Sequence, residues 1–140
     1  MKKQTKYRKR ARGDFMNDEK LLFMLRELKN KIDGLESCAL VAKEGLIVAS
    51  LLDEGVSEYH IAAMSAIILT TCDRVLVELK KGDLDLAIVQ GSDGKFIVMG
   101  CGEENILAVV LAEDAPMEIV FVEMRATANK IVEYLEELDI

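Results

Sequence analysis

His60 is the only histidine of the 140-residue chain, and Cys38, Cys72 and Cys101 are its only cysteines. Together they set the limits of the chemistry available. A histidine acting as general base needs a serine or cysteine nucleophile within hydrogen-bond reach, and no triad spacing is offered around His60, which reads as a surface residue of a helix. One histidine with three widely spaced cysteines and no CxxC pair leaves no usual zinc set. Odd in number and set in apolar stretches, the cysteines suit reduced, buried thiols of a cytoplasmic protein rather than a disulfide framework. A phosphate loop of the form GxxxxGK[ST] is absent, and Gly91-x-x-Gly94 reads as a turn between strands. Glu103 and Glu104 read as solvated loop charge. No catalytic residue, metal or cofactor is assigned, which points to an interaction module.

The element that dominates the pattern is Val56 to Lys81, VSEYHIAAMSAIILTTCDRVLVELKK. At about 100° per residue, Ile61, Met64, Ile68, Cys72, Val75 and Leu79 form one stripe, with Leu69 and Leu76 at its margin, and that stripe is expected to lie on a sheet. The opposite side mixes His60, Thr70, Thr71, Arg74 and Glu78 with Ala63, Ala66, Ile67 and Val77. Short residues let a second helix approach closely, so Ala63, Ala66, Ile67, Thr70 and Val77 are expected to form a self-complementary dimer contact. His60, Thr71, Arg74 and Glu78 would then be presented to a further partner.

Around this helix the rest of the chain reads in order. Asn17 or Asp18 caps a helix to about Lys31, with Leu21, Leu25, Leu28 and Ile32 on one stripe, and Asp33-Gly34 ends it. Ser37–Ala42 and Ile47–Leu52 are strands joined through Lys43 to Leu46, with Gly45 available for positive φ. Ser57 opens the long helix, and Lys80-Lys81-Gly82 closes it with a glycine stop. Leu84–Gln90, Phe96–Met99 and Ile106–Ala112 read as an antiparallel meander. Pro116 stands at the start of a last helix, about Met117 to Leu138, that turns Val120, Met124, Ile131, Leu135 and Leu138 inward. The order α-β-β-α-β-β-β-α predicts an α+β sandwich.

A hydrophobic content of 51 % supplies an aliphatic core without tryptophan. The longest apolar run, Ile61 to Leu69, is short of the roughly 20 residues of a membrane span. Charge is divided unevenly. Seven of 18 basic residues lie within positions 1–12, where there is no acid, leaving 11 basic and 25 acidic residues, or −14, for the remainder. Residues 1–15 therefore read as a basic flexible tail without the apolar core of a secretory signal, and 16–140 as one domain. The tail is a candidate for contact with an anionic surface or nucleic acid; Met16, just before the first helix, leaves open an upstream start for residues 1–15.

The segments GLESCALV (34–41) and KEGLIVAS (43–50), the Ala/Ile-rich helix, the meander and the final amphipathic helix together resemble the Roadblock/LC7 family over about residues 18–138. The resemblance implies a profilin-like fold with a five-stranded antiparallel sheet of order 2-1-5-4-3. The first and last helices would share one face and the middle helix take the other. It further implies homodimers, or heterodimers with a paralogous Roadblock chain, formed through the middle helix and third strand. The implied role is a non-catalytic regulator or scaffold of a Ras-like small GTPase. The alternative is a structural adaptor, dynein light-chain-like or membrane-scaffold-like, that docks another protein without regard to nucleotide state.

Overall fold

The computed structural model describes residues 18–138; the basic tail predicted over 1–15 lies outside them. Among the described residues three helices and five strands follow in the expected order: α1 (Glu19–Lys31), β1 (Leu35–Ala42), β2 (Leu46–Leu51), α2 (Glu58–Glu78), β3 (Leu86–Gln90), β4 (Gly94–Cys101), β5 (Asn105–Ala112) and α3 (Met117–Leu138). The strands form one antiparallel sheet of order β2-β1-β5-β4-β3.

The centre of the sheet is buried on both sides, and the side-chain period of two divides its residues between two cores. Cys38 and Leu40 of β1, Ile97 and Met99 of β4, and Leu107 and Val109 of β5 face α1 and α3. There they meet Leu21, Leu25 and Leu28 on one helix and Val120, Met124, Ile131 and Leu135 on the other. Ala39, Val41, Val98, Ile106 and Ala108 face the opposite side, where Ile61 and Ala62 of α2 close a smaller core. Helices α1 and α3 run antiparallel: Asp18 meets Tyr134 at one end and Lys31 lies 3.7 Å from Glu123 at the other.

The local reasons for these boundaries sit in the sequence. Asp18 caps α1 by accepting from the Lys20 and Leu21 amides at 2.8 and 3.1 Å, and Ser57 caps α2 through the His60 amide. At the end of α2 the expected glycine stop is displaced. The Lys80 amide donates to the Val77 carbonyl and the Lys81 amide to that of Leu76, the paired bonds of a Schellman motif. Lys80 therefore takes the left-handed conformation, with φ 59°, two residues before Gly82.

All five strands differ from their expected limits by one or two residues: β1, β4 and β5 extend to Leu35, to Gly94 and Cys101, and to Asn105, β2 lies one residue earlier, and β3 begins at Leu86, after Leu84 has given its amide to the Asp73 carboxylate. Gly94 is a residue of β4 as well as of the turn. A Cβ there would stand 2.5 Å from the Leu111 carbonyl oxygen of β5, so only glycine allows this approach.

Candidate functional site

The principal correction concerns α2. Of the stripe expected on the sheet, Ile61 is buried and Ile68 and Cys72 are half-buried, but Met64, Val75 and Leu79 are 46 %, 49 % and 62 % exposed. The residues buried outright against the sheet are Ile61, Ala62 and Ser65, with Ile68 and Leu69 partly buried against the same core. Helix α2 is rotated toward its small residues because Ala39 and Ala108 line the sheet beneath it, and short side chains on both surfaces allow close packing. Burial of Ser65 is accommodated because its hydroxyl donates to the Ile61 carbonyl at 2.6 Å.

This rotation leaves a long apolar surface in the open. Met64, Ile67, Val75, Val77 and Leu79 are exposed on α2, and Ile88 and Val89 are exposed on β3. Strand β3 pairs with β4 alone, so its other edge has no strand neighbour in the described chain. One 18-residue window of α2 has a mean hydropathy of 1.4, enough by length and composition to cross a membrane. The Ser57 cap, the contacts of Ile61, Ala62 and Ser65 with the sheet, and the 2.6 Å bond from the Ser50 hydroxyl to Glu58 tie the helix to its domain. Side chains alternate along β3, so Val89 shares the α2 side of the sheet with Ala87 while Ile88 faces the other side with Leu86; the exposed apolar area of α2 thus reaches the edge at Val89 and marks an interaction surface.

The edge is held in place by polar ties at its entry. The Leu84 amide donates to the Asp73 carboxylate at 2.9 Å, and the Gly100 amide to the Asp85 carbonyl at 3.1 Å. Arg125 of α3 grips the Asp85 carboxylate with both terminal nitrogens. The guanidinium holds the Asp85 carboxyl below its ordinary range, chiefly through these hydrogen bonds.

The residues expected at a dimer contact divide. Ile67, Thr70 and Val77 are exposed, while Ala63 and Ala66 are half-buried. Ala66 lies under the β1–β2 turn, where a Cβ on Gly45 would stand 3.8 Å from its own. His60, Thr71, Arg74 and Glu78, expected to meet a partner, are all exposed. Arg74 Nε lies 3.4 Å from a Glu78 carboxylate oxygen, a helical i,i+4 pair. His60 stands with its ring 5.8 Å from that of Tyr59, tilted by 56°. Sequence reasoning missed Met64, Val75 and Leu79, which it assigned to the core, and Ile88 and Val89. A signal for the last two was present, since the β3 segment LAIVQ is apolar on both faces although it ends the sheet.

Two of the three thiols are buried. Cys38 and Cys101 donate weakly to the carbonyls of Leu25 and Ala128 at 3.6 and 3.5 Å, and burial pushes both thiols up to about 12. Such thiols are inert at neutral pH. Cys72 is half-buried, and all three are unbonded to one another.

The model of the Roadblock/LC7 domain matches residues 21–111. A curated relative, an uncharacterized protein of Methanocaldococcus jannaschii, is 28 % identical over 102 residues, which are 73 % of this chain and 89 % of the relative. Among solved structures, Myxococcus xanthus MglB superposes with a TM-score of 0.79 at 13 % identity, over 84 % of this chain and 96 % of that one. A Roadblock/LC7 domain from Streptomyces avermitilis gives 0.76 at 19 % identity, over 81 % and 95 %. Acanthamoeba castellanii profilin II shares the fold at 0.50, with 12 % identity over 76 % and 89 %.

Proposed function

The chain belongs to the Roadblock/LC7 domain family, and from that premise we propose that it is a non-catalytic, dimeric regulator or scaffold of a Ras-like small GTPase in the cytoplasm. One observation carries the dimer: of the 21 residues of α2 only Ile61, Ala62 and Ser65 are buried, and the exposed apolar residues of α2 continue onto the open edge of β3. A second copy, or a paralogous chain, laid against this surface by a two-fold axis would cover Met64, Ile67 and Val75. It would also pair β3 with its counterpart, extending the sheet across the dimer.

The GTPase is proposed from the family premise, and the structural similarity to MglB and to Myxococcus xanthus MglC fits a regulator or adaptor role. In this reading His60, Thr71, Arg74 and Glu78 form the polar rim of the paired helices and meet the partner there. Stimulation or ordering of a GTPase requires different affinity for its two nucleotide states. Pull-down from lysate of the source cell, with a GTP analogue or GDP added, should retain a Ras-like GTPase in one state more than in the other. Equal retention would assign the chain to the adaptor class, and retention of no GTPase in either state would remove the functional reading while leaving the fold intact.

A further inference from the structure

Strand β3 gives only part of its backbone to β4. The Gly100 amide donates to the Asp85 carbonyl at 3.1 Å and the Gly91 amide to the Gly94 carbonyl at 2.8 Å, continuing at both ends the register in which Leu86 faces Met99 and Gln90 faces Lys95. Hydrogen-bonded and non-bonded pairs alternate along an antiparallel ladder. Asp85, Ala87, Val89 and Gly91 therefore turn their backbone groups toward β4, and Leu86, Ile88 and Gln90 turn theirs to the open edge. Both ends of this outward row are closed. Before it, the Leu84 amide is committed to the Asp73 carboxylate at 2.9 Å, and Arg125 holds the Asp85 side chain from α3. After it, the chain leaves the strand at Gly91 and turns through Ser92 and Asp93 into β4.

Resting on the reading that the chain dimerises along β3, we propose that two copies pair in a single antiparallel register, with Ile88 of each on the two-fold axis, and that the Asp73 tie to Leu84 fixes it. In that register Leu86 lies opposite Gln90 of the second copy and Ile88 opposite Ile88, so every outward amide and carbonyl of the strand finds a partner. Neighbouring registers lose bonds. An axis on Ala87 sets Gln90 against Leu84, whose amide is already donated to Asp73, and an axis on Val89 sets Leu86 against Ser92 in the turn. The side chains agree with the backbone. Ile88, 43 % exposed, meets its own copy on the α1/α3 side, while on the α2 side Val89, 49 % exposed, falls opposite the smaller Ala87.

The test is oxidative cross-linking of single-cysteine variants of the full chain carrying Cys72→Ser, with light scattering of the parent chain beside it. Ile88→Cys should give the disulfide-linked dimer, because opposed residues of a hydrogen-bonded pair lie about 5.5 Å apart, within disulfide reach. Ala87→Cys and Val89→Cys should cross-link about tenfold less, each being displaced from its own copy by a further 7 Å or so (about 7 Å) along the strand. Adding Asp73→Ala should extend cross-linking to Ala87→Cys, whereas Asp73→Asn, which keeps an acceptor for the Leu84 amide, should not. Cross-linking greatest at Ala87→Cys or Val89→Cys overturns the register, and an unchanged pattern in folded Asp73→Ala overturns the role of Asp73. A dimeric parent with no cross-link at any of the three positions overturns pairing through β3 while leaving a dimer through α2; a monomeric parent removes the dimer reading and the register with it.

Discussion

The Tyr134 hydroxyl donates a 2.9 Å hydrogen bond to one carboxylate oxygen of Asp18, while the other oxygen of that carboxylate caps α1. One side chain thus begins the first helix and fastens it to the end of the last. Asp18→Ala removes both functions and is expected to cost about 1–2 kcal/mol. Asp18→Asn, which keeps a cap, should cost less, and Tyr134→Phe less than about 1.5 kcal/mol. Urea unfolding of the single and double variants checks this. Strictly additive losses would mean that the two residues do not act as a unit.

Alkaline pH should destabilise the fold. The Tyr134 hydroxyl is raised to about 12 by desolvation and by Asp18, and the Cys38 and Cys101 thiols to about 12 by burial. Ordinary values are 10.0 for the tyrosine and 9.0 for the thiols. The folded chain therefore holds more protons than the unfolded one over this interval, and stability falls with pH there. It is fully present below pH 9 and is lost as pH rises toward 12. The urea midpoint followed across this range should fall, and Cys101→Ala should fall less steeply; a midpoint independent of pH would contradict the burial. At neutral pH a thiol reagent should label Cys72 ahead of Cys38 and Cys101.

Lys80 takes φ 59° at the end of α2, a conformation that costs a residue with a Cβ about 1–2 kcal/mol relative to glycine. The Lys80→Gly variant is expected to be more stable by up to about 1 kcal/mol, less than the full strain because glycine also gains freedom in the unfolded chain. A thermal melt showing destabilisation would place the Schellman motif elsewhere.

Ile67, 63 % exposed at the outer face of α2, is the position at which a charge best reports the proposed dimer. Ile67→Glu would bury two like charges near the two-fold axis at a cost of several kcal/mol. Light scattering should then show a monomer where the parent chain is a dimer, with circular dichroism unchanged. Ala66→Glu is a poorer probe because Ala66 also packs under the β1–β2 turn. A dimer that survives Ile67→Glu would move the interface off α2.

Arg74 projects from the same side of α2 and, among the described residues, is paired with Glu78 along its own helix. As a rim charge it should govern association with a GTPase, so Arg74→Glu is expected to slow binding and reduce its salt dependence while the dimer persists. Single-turnover GTP hydrolysis at saturation separates this role from that of an arginine finger. Arg74→Ala and Arg74→Lys should retain near-parental turnover as rim variants; a finger would lose stimulation by about 10³-fold or more.

The sequence alone determined what depends on near neighbours. Ser57 and Asp18 can cap because each amide they accept lies within three residues, and the strands of the sheet can be recognised from short apolar runs between glycine-rich turns. The division between a basic arm and an acidic body is likewise a matter of order along the chain. The strand order, by contrast, was implied by the resemblance to the Roadblock/LC7 family and not by these local signals. The side of α2 that meets the sheet was decided only in three dimensions. Apolar residues surround that helix almost completely, so its periodicity left several orientations nearly equal, and the larger Met64, Val75 and Leu79 were expected inside. Close packing on Ala39 and Ala108 selected Ala62 and Ser65 instead, with the Ser65 hydroxyl satisfied by its own helix. Tertiary contact likewise joined Asp18 to Tyr134, 116 residues apart, and Asp85 to Arg125, 40 apart. Such pairs are invisible to any local period, because they arise from which surfaces the sheet brings together and not from spacing along the chain.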